Sequence, residues 1–223
     1  MSLVSLGRIV SSGYRLVMVH RLRRWSCLPR TTHSEFCFFA CDSQAQPHRS
    51  TPTELLYQLK DSGAKLIFVS PALLPTLLKA LELGAPSYTI PQYRIILMCQ
   101  PSEKPADTPY SCIQDLWNKA GRPKEMQSDE ERDTAYLCYS SGTTGRAKGV
   151  ETSHHNMTSQ VQAIRNAHHT MRASDAILGV LPFGHIYGLT FLLHHPLTVH
   201  APVIVLPRFD VDNVLKAIEK VCS

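Results

Sequence analysis

Tyr139-Ser140-Ser141-Gly142-Thr143-Thr144-Gly145-Arg146-Ala147-Lys148-Gly149-Val150 is the stretch on which the fold and function of this chain turn. Eight of its twelve residues are Gly, Ser, Thr or Lys, and it follows directly on the apolar run Ala135-Tyr136-Leu137-Cys138. An apolar strand feeding a loop of small hydroxylated residues suits the holding of a polyphosphate. Gly142, Gly145 and Gly149 let the backbone turn its N–H groups toward an anion with no Cβ in the way. Ser140, Ser141, Thr143 and Thr144 offer hydroxyl donors, while Arg146 and Lys148 bring positive charge. Lys148 is the better mobile point charge for a phosphate in transfer. The competing account is a plain Gly/Ser/Thr hairpin joining two strands.

The stretch is not a Walker A loop. That pattern requires Gly, four residues, then Gly-Lys-Ser/Thr. Counting from Gly142 places Ala147 where the second glycine belongs, and Gly149 follows Lys148 where a hydroxyl is needed. Downstream lies a second island, Ala176-Ile177-Leu178-Gly179-Val180-Leu181-Pro182-Phe183-Gly184-His185-Ile186-Tyr187-Gly188. It reads as an apolar strand, a proline stop and a His/aromatic turn.

The spacing Ser-Ser-Gly-Thr-Thr-Gly-x-x-Lys-Gly resembles the signature loop of the adenylate-forming superfamily of acyl-CoA synthetases, luciferases and peptide-synthetase adenylation domains. Leu181-Pro182-x-x-His185-Ile186-Tyr187-Gly188 is similar to a second segment of that superfamily, in the spelling of its 4-coumarate–CoA ligase-like branch. The resemblance runs from about residue 50 to 222. It implies ATP-dependent activation of a carboxylic acid to an acyl-adenylate, followed by transfer to the thiol of CoA. Ser140, Ser141, Gly142, Thr143, Thr144, Gly145 and Lys148 match the phosphate clamp, and His185, Tyr187 and Gly188 match the acyl-pocket side. Mg and CoA are implied as well, with their sites mostly outside this chain.

The superfamily's aromatic-Gly-x-Thr-Glu motif, ribose-binding aspartate and C-terminal lysine domain have no counterpart here; the one Thr-Glu pair, Thr53-Glu54, precedes the loop. The chain therefore matches the N-terminal part of a large domain, with the C-terminal subdomain missing. No catalytic residue is assigned, and turnover is expected to be absent or impaired. Two alternatives stay open: a non-catalytic nucleotide- or acyl-binding remnant, and an amino-acid adenylation domain. A parallel sheet cut partway is expected to self-associate through its exposed edge.

Composition narrows the remaining classes. Hydrophobic residues at 43% and charged residues at 18% are ordinary globular material. The net charge of +5 resides in the tail. Residues 1–34 hold six arginines and no acidic residue, and the rest of the chain sets 17 basic residues against 18 acidic ones. With no interleaved aromatics in that tail, a nucleic-acid partner is disfavoured. Residues 1–47 form a basic, Arg-rich tail resembling a mitochondrial transit peptide or a non-native start, and residues 48–223 form the partial adenylation domain. A cytoplasmic location is expected, with mitochondrial and peroxisomal alternatives. No window reaches the roughly 18 apolar residues of a membrane helix. Seven cysteines without paired metal spacing suggest free thiols in a reducing compartment. The adjacent pairs His154-His155, His168-His169 and His194-His195 are not metal motifs, because neighbours on a helix point apart. They are expected at the surface or in caps.

Strand and helix signals alternate from residue 50 onward. Thr51-Pro52-Thr53-Glu54 predicts a capped helix ending at Gly63, and Leu66–Val69 a buried strand. Ser70-Pro71 predicts the cap of a second helix reaching Gly84. Strands are expected over 94–98, 134–139, 177–181 and 203–206. Helices are expected around 113–117 and over 153–169, 188–199 and a final stretch capped by Asp210. The outcome is an α/β fold with a mostly parallel sheet covered by helices.

Overall fold

Thr51 to Gly63 shows how local sequence dictates local structure. In the computed structural model the Glu54 N–H donates to the Thr51 hydroxyl at 3.2 Å, and the Thr51 N–H donates to the Glu54 carboxylate at 2.8 Å. With Pro52 at the first helical position, this reciprocal cap starts α1 (Pro52–Ser62). Gly63 ends it in the left-handed conformation, φ 61°, where a side chain would be strained. The structure describes residues 20–22, 36–40, 51–117, 134–140, 147–167, 171–206 and 209–222. They fall into two compact units, one within 15–159 and one within 160–223.

The first unit contains a five-stranded sheet in the order β1 (His20–Leu22), β2 (Phe36–Ala40), β3 (Leu66–Val69), β4 (Ile95–Leu97) and β5 (Ser111–Cys112). Strands β2 to β5 run parallel, and β1 lies antiparallel on the edge. Ile67 and Val69 of β3 and Ile95 and Leu97 of β4 share one face, as the period of two requires. They meet Leu55 and Leu59 of α1 and Leu74, Leu77 and Ala80 of α2 (Leu74–Gly84) in one core. Leu66 and Ile96 alternate to the other face and are buried too, the mark of a strand covered on both sides.

Three departures from expectation stand out. Strands β1 and β2 lie inside the segment assigned to a basic tail, where the apolar run Phe36–Ala40 is the signal that composition masked. Ser70 does not cap α2: Pro71–Leu73 forms a 3₁₀ turn, and the buried Ser70 hydroxyl makes no capping bond. Pro75 is the cause, since a helix begun at Pro71 would need a Pro75 N–H to bond the Pro71 carbonyl. The Leu74 N–H bonds the Pro71 carbonyl in its place. The third departure is an extra strand after the glycine-rich loop. Beyond the short α3 (Ile113–Trp117), β6 (Thr134–Ser140) pairs antiparallel with β7 (Lys148–Ser153).

Helix α4 (His154–Ala167) follows β7 without a linker. The Ser153 hydroxyl accepts from the Asn156 N–H at 3.1 Å, and the Asn156 side-chain Oδ1 accepts from the Ser153 N–H at 3.1 Å. This is the α1 cap rebuilt with an amide. Met157, Val161 and Ile164 form its buried stripe. In the second unit β8 (Ile177–Gly179) pairs parallel with β9 (Val203–Val205). A π-helical segment, Gly188–His194, and α5 (His195–Thr198) lie between them, and α6 (Val211–Cys222) follows. No helix among the described residues is long and apolar enough to cross a membrane.

Candidate functional site

The strands on either side of the glycine-rich loop, β6 and β7, pair antiparallel. Ser140 ends β6 directly opposite Lys148, which begins β7. Both are exposed, so a hydroxyl and an ammonium frame the two stems of the loop. Ser141, Gly142, Thr143, Thr144 and Gly145 lie outside the described residues. The antiparallel pairing of β6 and β7 is the strand frame of the hairpin reading, and a phosphate loop could be carried on the same frame.

Tyr139 fixes that frame. Its ring lies over Gly149, its cross-strand partner, where a Cβ would come within 3.2 Å of the ring. Its hydroxyl donates to the Asp61 carboxylate at 2.7 Å, and the Gln58 carbonyl lies 3.3 Å away. The β6 end of the loop is therefore tied to the last turns of α1. Behind the tip the strand is apolar. Burial pushes the Tyr136 phenol up to about 12 and raises the Cys138 thiol. Desolvation disfavours their charged forms, leaving this part of β6 a neutral support for a charged tip.

The second island forms a tight turn in the other unit. A Cβ on Gly188 would stand 2.1 Å from the Pro182 carbonyl oxygen, so only glycine lets the helix start there. His185 is exposed, and its Nδ1 accepts the Tyr187 N–H at 3.2 Å. An accepting Nδ1 leaves the ring proton of the neutral imidazole on Nε2. Tyr187 stacks on Phe191 with ring centroids 4.6 Å apart and planes 12° from parallel.

These two rings, with Met171, Asp175, Ile177, Leu192 and His195, line a concavity of about 310 Å³. It stands near the lower end of the size range of small-molecule sites. Of the predicted acyl-side residues, Tyr187 lines it; His185 and Gly188 shape the turn beside it.

Phe191 and His195 were missed by sequence reasoning. The signal was present in the spacing of four from Tyr187 to Phe191 to His195, which repeats one helical face. The pair His194-His195, expected at the surface or in caps, does stand at cap positions, but the surface half of that expectation is corrected: His195 is 2% exposed, and burial lowers the His194 imidazole below its usual range. Pro196 helps explain the local geometry. It lacks an N–H, and the preceding His195 N–H reaches back five residues to the Thr190 carbonyl. Such π-type turns recur at functional sites. Among the described residues no group of three or more His, Cys, Asp or Glu side chains could hold a metal ion.

Comparison with known proteins agrees with the resemblance. Residues 45–222 match the family described as AMP-binding enzyme. The chain is 30% identical over 171 residues to the peroxisomal OPC-8:0-CoA ligase 1 of Arabidopsis thaliana, covering 77% of this chain and 30% of that protein. It is 43% identical over 98 residues to the probable 4-coumarate–CoA ligase 1 of Dictyostelium discoideum, covering 43% of this chain and 17% of that one. Among solved structures, ATP-bound MatB from Rhodopseudomonas palustris superposes with a TM-score of 0.58 at 25% identity, over 76% of this chain and 31% of MatB. The chain thus spans about 30% of the length of the first of these relatives. With its hairpin loop, its His/aromatic turn and its α/β architecture, the chain belongs to the AMP-binding, adenylate-forming family.

Proposed function

We propose that this chain carries the nucleotide-phosphate and acyl-binding elements of an acid–thiol ligase. In this lineage ATP activates a carboxylic acid as an acyl-adenylate, and the acyl group then passes to the thiol of CoA. The observation that carries the proposal is the exposed pairing of Ser140 and Lys148 across the mouth of the loop, held by Tyr139 on α1. In this reading the Lys148 ammonium neutralises charge on the departing pyrophosphate, where positioned cations act most strongly. The Tyr187–Phe191 wall receives the apolar body of the acid. The described residues supply no cluster suited to magnesium, so no step is assigned to it.

The test uses the 223-residue chain. ATP binding is measured by titration calorimetry, and pyrophosphate exchange is followed with a panel of fatty, aryl and amino acids. Lys148→Ala is expected to weaken ATP binding at least tenfold, about 1.4 kcal/mol. Unchanged affinity would remove the phosphate-loop assignment. ATP binding without exchange for any acid would favour the non-catalytic remnant. Exchange confined to amino acids would move the chain to the amino-acid adenylation class.

A further inference from the structure

Cys99 and Cys112 lie outside everything the ligase reading uses. Cys99 stands two residues past Leu97, the last residue of β4, and Cys112 is the residue of β5 paired with Leu97. The parallel register therefore brings two cysteines thirteen positions apart to neighbouring strand ends. Their Sγ atoms are 3.7 Å apart, and both residues are buried in the core of the first unit. The flanks are fixed. The Cys112 N–H donates to the Asp115 carboxylate at 2.9 Å, and Gln114 Nε2 donates to Gln100 Oε1 at 3.0 Å.

We propose that Cys99 and Cys112 are a modification site: a thiol pair that peroxide converts to a reversible internal disulfide, stapling the connection Gln100–Ser111. A sulfur–sulfur bond of about 2.05 Å requires the two atoms to close by about 1.7 Å. The chemistry balances with hydrogen peroxide as oxidant. One thiolate attacks a peroxide oxygen, the O–O bond breaks, and a sulfenic acid and water result. The second sulfur attacks the sulfenyl sulfur and expels a second water. Two thiols lose two electrons and two protons, and one peroxide becomes two waters. A dithiol reductant reverses the bond by exchange. Burial, then the hydrogen bond to Cys112, hold the Cys99 thiol up at about 12. Thiolate is therefore scarce, and the pair answers sustained peroxide, not a brief pulse. Such bonds in reducing compartments are transient. The proposal stands independently of the nucleotide reading.

The experiment exposes the whole chain to rising peroxide until Cys138, a half-buried free thiol, is fully oxidised. Remaining thiols are then trapped with maleimide in denaturant, and the linked peptides are mapped by mass spectrometry. The expected result is a Cys99–Cys112 cross-link as the main species, lost on dithiothreitol treatment. Cleavage after Glu103 by a glutamate-specific protease should also slow several-fold in the oxidised chain. Cys138→Ala must leave the cross-link unchanged, with the peroxide dose carried over from the parent chain. Cys99 and Cys112 both labelled by maleimide after Cys138 is oxidised would overturn the proposal. So would either residue bonded chiefly to another cysteine. Mapping on the natural sequence keeps the result free of any folding defect in a Cys112 variant.

Discussion

Helices α1 and α6, of 11 and 12 residues, follow the same amphipathic rule and meet opposite fates. In α1 the inward leucines vanish from solvent, with Leu59 at 0% exposure. In α6 the residues at the same helical spacing stay open: Val211, Leu215, Ile218 and Val221 are all exposed, Leu215 at 59%. Periodicity in a sequence specifies that a helix has an apolar face. It does not specify that the cover for that face lies among the described residues. α1 finds its cover in β3, β4 and α2, whereas α6 presents a contiguous apolar stripe of the kind that drives association.

The largest expected effect breaks this comparison if it is wrong. Leu59→Ala should cost about 3 kcal/mol in urea unfolding, the usual loss for a fully buried leucine. Tyr139→Phe should cost about 1 kcal/mol by removing the hydrogen bond to Asp61. The same variant should loosen ATP binding if the loop depends on that tie. Thr51→Ala, which deletes the α1 cap, should also cost about 1 kcal/mol in the same measurement. Leu215→Ala should fall within about 0.5 kcal/mol of the parent chain. A loss as large as that of Leu59→Ala would mean that the α6 stripe is covered in solution.

A pH series sharpens the contrast from another side. Burial depresses the His194 imidazole below its ordinary 6.5, so the folded state binds its proton less readily than the unfolded chain does. This contribution to stability is complete above pH 6.5. It is lost as pH falls from there toward the folded value. His194→Gln should flatten that slope in melts recorded between pH 7 and pH 5.

Much of the architecture was legible in the sequence for physical reasons. The cap at Thr51, the left-handed stop at Gly63 and the alternating apolar strands β3 and β4 each follow from rules that act within a few residues. The misses share a different character. Strand β7, Lys148–Ser153, is Lys-Gly-Val-Glu-Thr-Ser and carries little apolar signal; it is a strand because β6 pairs with it. Strand β5 is two residues long and is likewise defined by its neighbour. The 3₁₀ turn at Pro71 needed attention to a missing N–H four residues on. Of the residues lining the concavity, Tyr187 alone was named by the motif. Phe191 and His195 became visible once a wide helical turn had aligned them with Tyr187.

The phenol of Tyr139 couples two events that lie far apart along the chain. It stands one residue before the end of β6, at the entry to the glycine-rich loop, and anchors on the closing turns of α1. By reciprocity, whatever steadies the loop must also steady those turns. Amide hydrogens near Asp61 should therefore exchange more slowly when the loop is gripped, and Gly63, at the point where α1 unwinds, would report occupancy of a site to which it contributes no atom.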